Sequence, residues 1–226
     1  DVIDPKILFS EYVYVSGTSP LFVEHFRRYA SDILTQFTPR VGSLVVDIGS
    51  NDGTLLSFFK KAGMSVLGID PARKIVEEAN RNEIETLEGF FNPSLADKIL
   101  VSKGPASIIT ANNVFAHADD LEGIIQGVRS LLAPDGIFIF EVSYLADVIE
   151  KTLFDTIYHE HLSYHSVGPL QRFFAHNGMD MFGAYRVDTH GGSIRGVCQL
   201  ADGPYSDDGT VSELMTLEQI HALNRV

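Results

Sequence analysis

The sequence predicts an α/β protein with a doubly wound parallel sheet, and three observations carry that expectation. Short, nearly all-apolar runs recur along residues 40–142, as strands buried on both faces require. Amphipathic stretches of helical period separate them. The first run ends in a polar, glycine-bearing loop, the position at which such sheets bind ligands.

Taken in order, Pro20–Phe37 reads as an amphipathic helix that opens after Ser19 with proline at its first position. Leu44–Ile48 is the first strand, followed by a helix over 54–62 and a strand over 66–69. A helix over 73–82, a strand over 85–88, a helix over 93–100 and a strand over 107–110 continue the alternation. A helix over 121–132 leads to the turn Ala133-Pro134-Asp135-Gly136 and a strand over 137–141. Residues 167–177 resemble a further helix, closed by Gly178 in the left-handed cap position. Strands over 181–187 and Ser193–Leu200 follow, and residues 11–18 form a strand-like or loop segment ahead of everything. The expected organisation is a cap segment and helix over 1–39, one main domain over 40–200, and the start of a carboxyl-terminal region over 201–226.

Composition narrows the function. At 45% hydrophobic and 21% charged residues, the chain of 226 can build a sizeable core and is not disordered. A net charge of −13 disfavours a nucleic-acid partner. The single cysteine, Cys198, allows no internal disulfide and no cysteine-built zinc site, and lies in an apolar strand as a small hydrophobe. No run approaches a membrane span, and the expected location is the cytoplasm. The start, Asp1-Val2-Ile3-Asp4-Pro5, carries neither an initiator methionine nor a signal peptide, so a fragment is expected. The acid excess is uneven. Residues 1–150 carry 21 acids against 12 bases, whereas 151–200 carry four of each and leave the more favourable place for an anionic ligand.

The loop after the first strand reads Asp47-Ile48-Gly49-Ser50-Asn51-Asp52-Gly53. Asn51 stands where the dinucleotide fingerprint needs glycine, and no phosphate-binding lysine loop is present. Asp47 and Asp52 would repel a pyrophosphate and attract a cation. S-adenosylmethionine, with a sulfonium and an ammonium, fits those charges better than NAD or ATP. Asp70 ends the second strand, where a carboxylate accepts hydrogen bonds from both ribose hydroxyls. An acid there also caps a following helix in many proteins, but its joint occurrence with the glycine loop favours a nucleoside.

With Gly68-Ile69-Asp70-Pro71-Ala72 and Ala111-Asn112-Asn113-Val114, this loop resembles the successive motifs of class I methyltransferases. The resemblance implies a Rossmann-like sheet with a helical amino-terminal segment, and S-adenosylmethionine as cofactor with S-adenosylhomocysteine as product. It puts Asp47, Gly49, Ser50, Asn51, Asp52, Gly53, Asp70 and Pro71 at the cofactor. Phe90 would lie beside the adenine, and Asn112 and Asn113 would line the methyl-transfer region.

The segment 154–165 packs Tyr158, His159, Glu160, His161, Tyr164 and His165 together. A metal site, a set of ordinary satisfied histidines and a general acid/base cluster are all open readings. Tyr158-His159-Glu160-His161 resembles the hallmark of the nucleotide-sugar C-methyltransferases, as do Glu11–Thr18 upstream and His190-Gly191-Gly192-Ser193-x-Arg195 downstream. That likeness implies no metal in this stretch; members usually carry zinc in a preceding cysteine-rich segment, and a longer carboxyl-terminal domain. It implies methyl transfer to a carbon, C3, of a nucleotide-linked 4-keto-6-deoxysugar through an enediolate. His161 would be the base, with Glu160 orienting or polarising it, Tyr158 a group at the oxygen, and His117 an enolate stabiliser or proton relay. Tyr12 would close over the reacting centre, with Tyr14 and Ser16 at the cofactor. His159, His190, Ser193 and Arg195 would meet the substrate. Strand packing remains open for Tyr12 and Tyr14, and a plain hairpin turn for the paired glycines. Methylation of oxygen or nitrogen on another metabolite, or a non-catalytic cofactor-binding module, are the alternative functions.

Overall fold

The computed structural model describes residues 8–9, 16–221 and 223. A short 3₁₀ turn, Ser16–Thr18, leads into α1 (Pro20–Phe37). The alternation then runs β1 (Leu44–Ile48), α2 (Thr54–Lys61), β2 (Ser65–Asp70), α3 (Arg73–Arg81), β3 (Thr86–Glu88), α4 (Pro93–Lys103), β4 (Ala106–Asn112) and α5 (Leu121–Leu131). After β5 (Leu132–Ser143) come α6 (Leu145–Glu150), α7 (Val167–His176), β6 (Met179–Val187), β7 (Ser193–Leu200) and α8 (Thr210–Ile220).

The seven strands form one sheet in the order β3-β2-β1-β4-β5-β7-β6. Strands β1 to β5 pair in parallel, and β7 joins antiparallel to both β5 and β6. The reversal at β1/β4 is the switch point, where a crevice opens beyond the carboxyl ends of the strands. The expected doubly wound sheet is therefore present, with an antiparallel hairpin added at one edge. The Ala133–Gly136 turn is not outside β5 but a bulge within it. Pairing passes from Leu132↔Ala106 to Ile137↔Ile108, and exposed Pro134 and Asp135 loop out between.

Strand alternation divides the core in two. Val46, Ile48, Ile109, Phe138 and Phe140 pack on one face with Ile99, Val128 and Phe174 of α4, α5 and α7. Val45, Ile108, Ile137 and Ile139 face the other way, against Phe26, Tyr29 and Ile33 of α1 and Leu56 and Phe59 of α2. Sequence reading anticipated neither α6 nor α8: six residues show little period, and the apolar residues of α8 are spread around the helix rather than gathered on one face. Among the described residues, no helix is long and apolar enough to cross a membrane.

Candidate active site

The cleft at the carboxyl ends of β1, β2 and β4 has a volume of about 700 Å³. Its wall is built by loops that only particular residues allow. Gly49 (φ 71°) turns the chain out of β1, and a Cβ there would stand 2.7 Å from the Val114 side chain. Asn51 adopts a left-handed conformation (φ 51°), which asparagine tolerates, and donates its backbone N–H to Asp70 Oδ2 at 2.9 Å. The other oxygen, Asp70 Oδ1, accepts the Ala72 N–H at 2.8 Å. Each carboxylate oxygen keeps a lone pair for a ligand. Burial raises the Asp70 carboxyl above its usual range against these two hydrogen bonds.

Asp47 is 3% exposed and accepts a hydrogen bond from Thr110 Oγ1 at 2.6 Å. Burial lifts its carboxyl to about 7, opposed by the Thr110 hydrogen bond and reinforced by the Asp70 charge. From its ordinary value of 3.8 up to about 7, the folded chain holds a proton that the unfolded chain has released. Folding stability contributed by Asp47 therefore falls as pH rises through that window. Asp47→Asn is expected to unfold at a higher temperature than wild type at pH 8 and to lose that advantage at pH 5. Thermal unfolding at both pH values checks it, and equal shifts at the two would count against an uncompensated charge.

Asp52 ties the amino-terminal segment to this loop. Its Oδ2 accepts the Gly17 N–H at 2.9 Å, while Oδ1 accepts from the Thr54 backbone and hydroxyl.

Opposite the loop stands the histidine–tyrosine cluster. His161 Nδ1 lies 2.8 Å from the Thr156 carbonyl, which only accepts, so Nδ1 carries the proton and Nε2 keeps its lone pair. The Tyr158 hydroxyl lies 3.1 Å from that Nε2 and donates to it. His117 Nδ1 lies 2.9 Å from the Glu160 carbonyl and is likewise the protonated nitrogen. Burial holds the His117 imidazole below its usual value, which favours the neutral ring with Nε2 as acceptor. The two ring centres are 4.9 Å apart. His190, in the left-handed region (φ 50°), faces Asn113 Nδ2 at 3.3 Å and packs 4.8 Å from Phe22.

The structure brings most of the expected residues to one cleft. Asp47, Gly49, Ser50, Asn51, Asp52, Asp70, Pro71, Phe90, Asn112, Asn113, His117, Tyr158, His161 and His190 all line it. Gly53 stands behind the wall as the turn into α2 (φ 77°). Tyr12 and Tyr14 lie outside the described residues, as does the Ser16 side chain.

Four expectations need correction. Glu160 does not orient His161: the Thr156 carbonyl does, and Glu160 reaches His117 through its backbone instead. His159 is exposed and does not line the cleft, its neighbour being Tyr158 edge-on at 6.3 Å. Ser193 is wholly buried, its hydroxyl donating to the Thr189 carbonyl at 3.1 Å. Arg195 points away from the cleft into an ion pair with Glu141, 2.6 Å at the closest approach. The cause for the last two is strand register. Both follow the Gly191-Gly192 turn, whose hairpin sends them into the sheet rather than toward a ligand.

Thr156, which sequence reasoning missed, acts through a carbonyl and so leaves no side-chain signal. Among the described residues, no group of three or more His, Cys, Asp and Glu is set to hold a metal. His159, His161 and His165 do not converge, because His165 is buried against Phe115.

Comparison with known proteins points the same way. Residues 22–182 match a family described as a methyltransferase domain. The C-methyltransferase NovU of Streptomyces niveus is 35% identical over 218 residues, covering 96% of this chain and 52% of that protein. The ubiquinone biosynthesis O-methyltransferase of Ralstonia nicotianae is 27% identical over 111 residues, 48% of this chain and 47% of its own. The chain thus spans about half the length of these curated relatives. Among solved structures, PH0226 from Pyrococcus horikoshii superposes with a TM-score of 0.65 at 15% identity, over 83% of this chain and 94% of its own. The magnesium protoporphyrin IX methyltransferase of Synechocystis, solved with bound SAH, has a TM-score of 0.59 at 18% identity, over 78% and 82%.

Proposed function

Since this chain belongs to the methyltransferase-domain family, we propose that it moves a methyl group from S-adenosylmethionine to a carbon, C3, of a nucleotide-linked 4-keto-6-deoxysugar. The observation that carries the reading is the shared cleft: His161 Nε2, with its lone pair fixed by the Thr156 carbonyl, lines the same space as Gly49 and Asp70. Likeness to a C-methyltransferase over 96% of the chain supports transfer to carbon, whereas the O-methyltransferase match reaches 48%.

The residues fit the cofactor. Asp47 and Asp70 supply negative charge for a cationic ligand, Asp70 keeps lone pairs for ribose hydroxyls, and glycine at 49 lets the loop turn out of β1 against Val114, where a Cβ would clash. S-adenosylmethionine supplies an electrophilic methyl on a sulfonium. The protein must then turn a weak carbon acid into a nucleophile. His161 Nε2 takes the C3 proton, and the C–H electron pair moves into the C3–C4 bond while the carbonyl oxygen becomes an oxyanion. Tyr158, displaced from Nε2 by the substrate, turns its O–H toward that oxygen. His117, neutral with Nε2 as acceptor, takes the proton of the substrate's C3 hydroxyl and gives it back once C3 carries the methyl, rather than donating to the oxyanion. As C3 bonds to the methyl, the C–S pair would leave with the sulfur, giving S-adenosylhomocysteine, while the C4 carbonyl re-forms and the His161 imidazolium returns its proton to solvent.

Incubation with S-adenosylmethionine carrying a labelled methyl group and dTDP-4-keto-6-deoxyglucose is expected to give a C-methylated sugar. In deuterated solvent without cofactor, the C3 hydrogen is expected to exchange. Labelled product without such exchange would favour methylation of oxygen or nitrogen. Cofactor binding is also expected to be tighter at pH 8 than at pH 6, because Asp47 meets the cation only when ionised. Calorimetric titration at the two pH values measures this.

A further inference from the structure

On the sheet face covered by α1, one row is polar across four strands. Asn112 of β4 stands opposite Glu141 of β5, Glu141 opposite Arg195 of β7, and Arg195 opposite Tyr185 of β6. Glu141 is 3% exposed and takes two partners: Arg195 Nε at 2.8 Å and, from α1, His25 Nε2 at 2.8 Å. Burial alone would push its carboxyl up, but the His25 hydrogen bond and the Arg195 charge outweigh it and hold it down. The Arg195 guanidinium in turn lies 4.1 Å over the Tyr29 ring. Tyr29 is wholly buried. Its hydroxyl faces the Asn112 amide, yet neither group completes a hydrogen bond. Asn112 lines the cleft.

Cohesion does not explain this arrangement. An apolar pair at 141 and 195 would seal α1 to the sheet at least as well, because a buried ion pair must first be stripped of water. What the charges add is direction. Glu141 fixes the register of α1 through His25, and Arg195 fixes the plane of Tyr29. The row ends at the unsatisfied amide of Asn112, which lines the cleft, with the unsatisfied Tyr29 hydroxyl buried behind it.

We propose that Glu141 and Arg195 are positioning residues that hold Tyr29 and Asn112 in the geometry the cofactor's methionine end requires. The inference rests on the reading of S-adenosylmethionine in this cleft. It replaces a substrate-facing role for Arg195 with an indirect one.

The test is calorimetric binding of S-adenosylhomocysteine to the full chain, with thermal unfolding alongside. The Glu141→Met/Arg195→Met double variant is expected to unfold cooperatively at or above the wild-type temperature. Its Kd is expected to rise about tenfold. Asn112→Ala should weaken binding by a similar factor, and combining all three changes should add little, because the row acts through Asn112. A double variant that binds as wild type, or losses that multiply, would overturn the proposal. If the double variant does not fold, His25→Gln decides. Binding weakened about threefold at an unchanged unfolding temperature supports the row, and unchanged binding overturns it. A wild-type chain that fails to bind S-adenosylhomocysteine overturns the cofactor reading, and this inference with it. A wild-type chain that binds, beside a folded double variant that binds equally, overturns the inference alone.

Discussion

Replacing His161 by asparagine is expected to slow methyl transfer about a thousandfold, within the range that a positioned general base contributes. Geometry makes the substitution selective. An asparagine amide can still donate to the Thr156 carbonyl that now accepts from Nδ1 at 2.8 Å, so the backbone around residues 156–161 keeps its anchor. What disappears is the Nε2 lone pair toward which the Tyr158 hydroxyl points. Cofactor affinity, set by the loop after β1 and by Asp70, is expected to stay within about threefold. Single-turnover rates and C3 deuterium exchange should fall together, since both need the same proton removal. If transfer slowed while exchange persisted, the base would be another group, and His117 is the next in line with a ring centre 4.9 Å away. His117→Asn is expected to cost about tenfold, because a relay is more easily replaced by water than a base.

The sheet and the cofactor loops were legible in the sequence because local rules govern them. A buried parallel strand such as Leu44–Ile48 is nearly all apolar, and all five of its residues are buried, Asp47 being the one polar exception at the site. The two glycines of the expected loop, Gly49 and Gly53, both take the positive φ that glycine permits. The helix Pro20–Phe37 was bounded to the residue, since proline at the start is a strong signal. The failures share a different cause. The orientation of Arg195 depends on which side of β7 faces α1, and that is set by pairing with Glu141, 54 residues earlier in the chain. The partner of His161 is a backbone carbonyl, which every residue type carries. Helix α8 packs Val211, Leu214 and Met215 on the core, but its apolar residues are spread around the helix, and its buried polar anchor, Glu218, meets partners at least 50 residues earlier in the chain.

That residue carries the largest expected effect on stability. Glu218 is 4% exposed, and its carboxylate reaches the start of α7, where Ser166 provides no side-chain cap. It accepts the Val167 N–H, the Gly168 N–H at 3.1 Å and the Tyr144 hydroxyl at 3.1 Å. The burial of Tyr144 and the nearby Glu218 charge push that phenol well above its usual value, so it stays a donor. A carboxylate at a helix amino terminus also meets the positive end of the helix dipole. Glu218→Ala would strand three buried donors at once and is expected to cost about 3–5 kcal/mol, the range for a buried charge network that loses one member. For a chain of this size that lowers the unfolding temperature by about 10 °C. Glu218→Gln keeps the shape and one acceptor oxygen and is expected to cost about 1–2 kcal/mol. Thermal unfolding of the two variants beside wild type measures both. A shift below about 2 °C for the alanine variant would mean that water takes the place of the carboxylate. The consequence reaches the active site. The segment from Thr156 to His165 enters α7 directly, and Leu162 and Ser163 hang from the Ala116 carbonyl beside His117. A loosened α7 start therefore frees one end of the loop that carries His161, and the alanine variant is expected to lose turnover well below its unfolding temperature, while the glutamine variant keeps it.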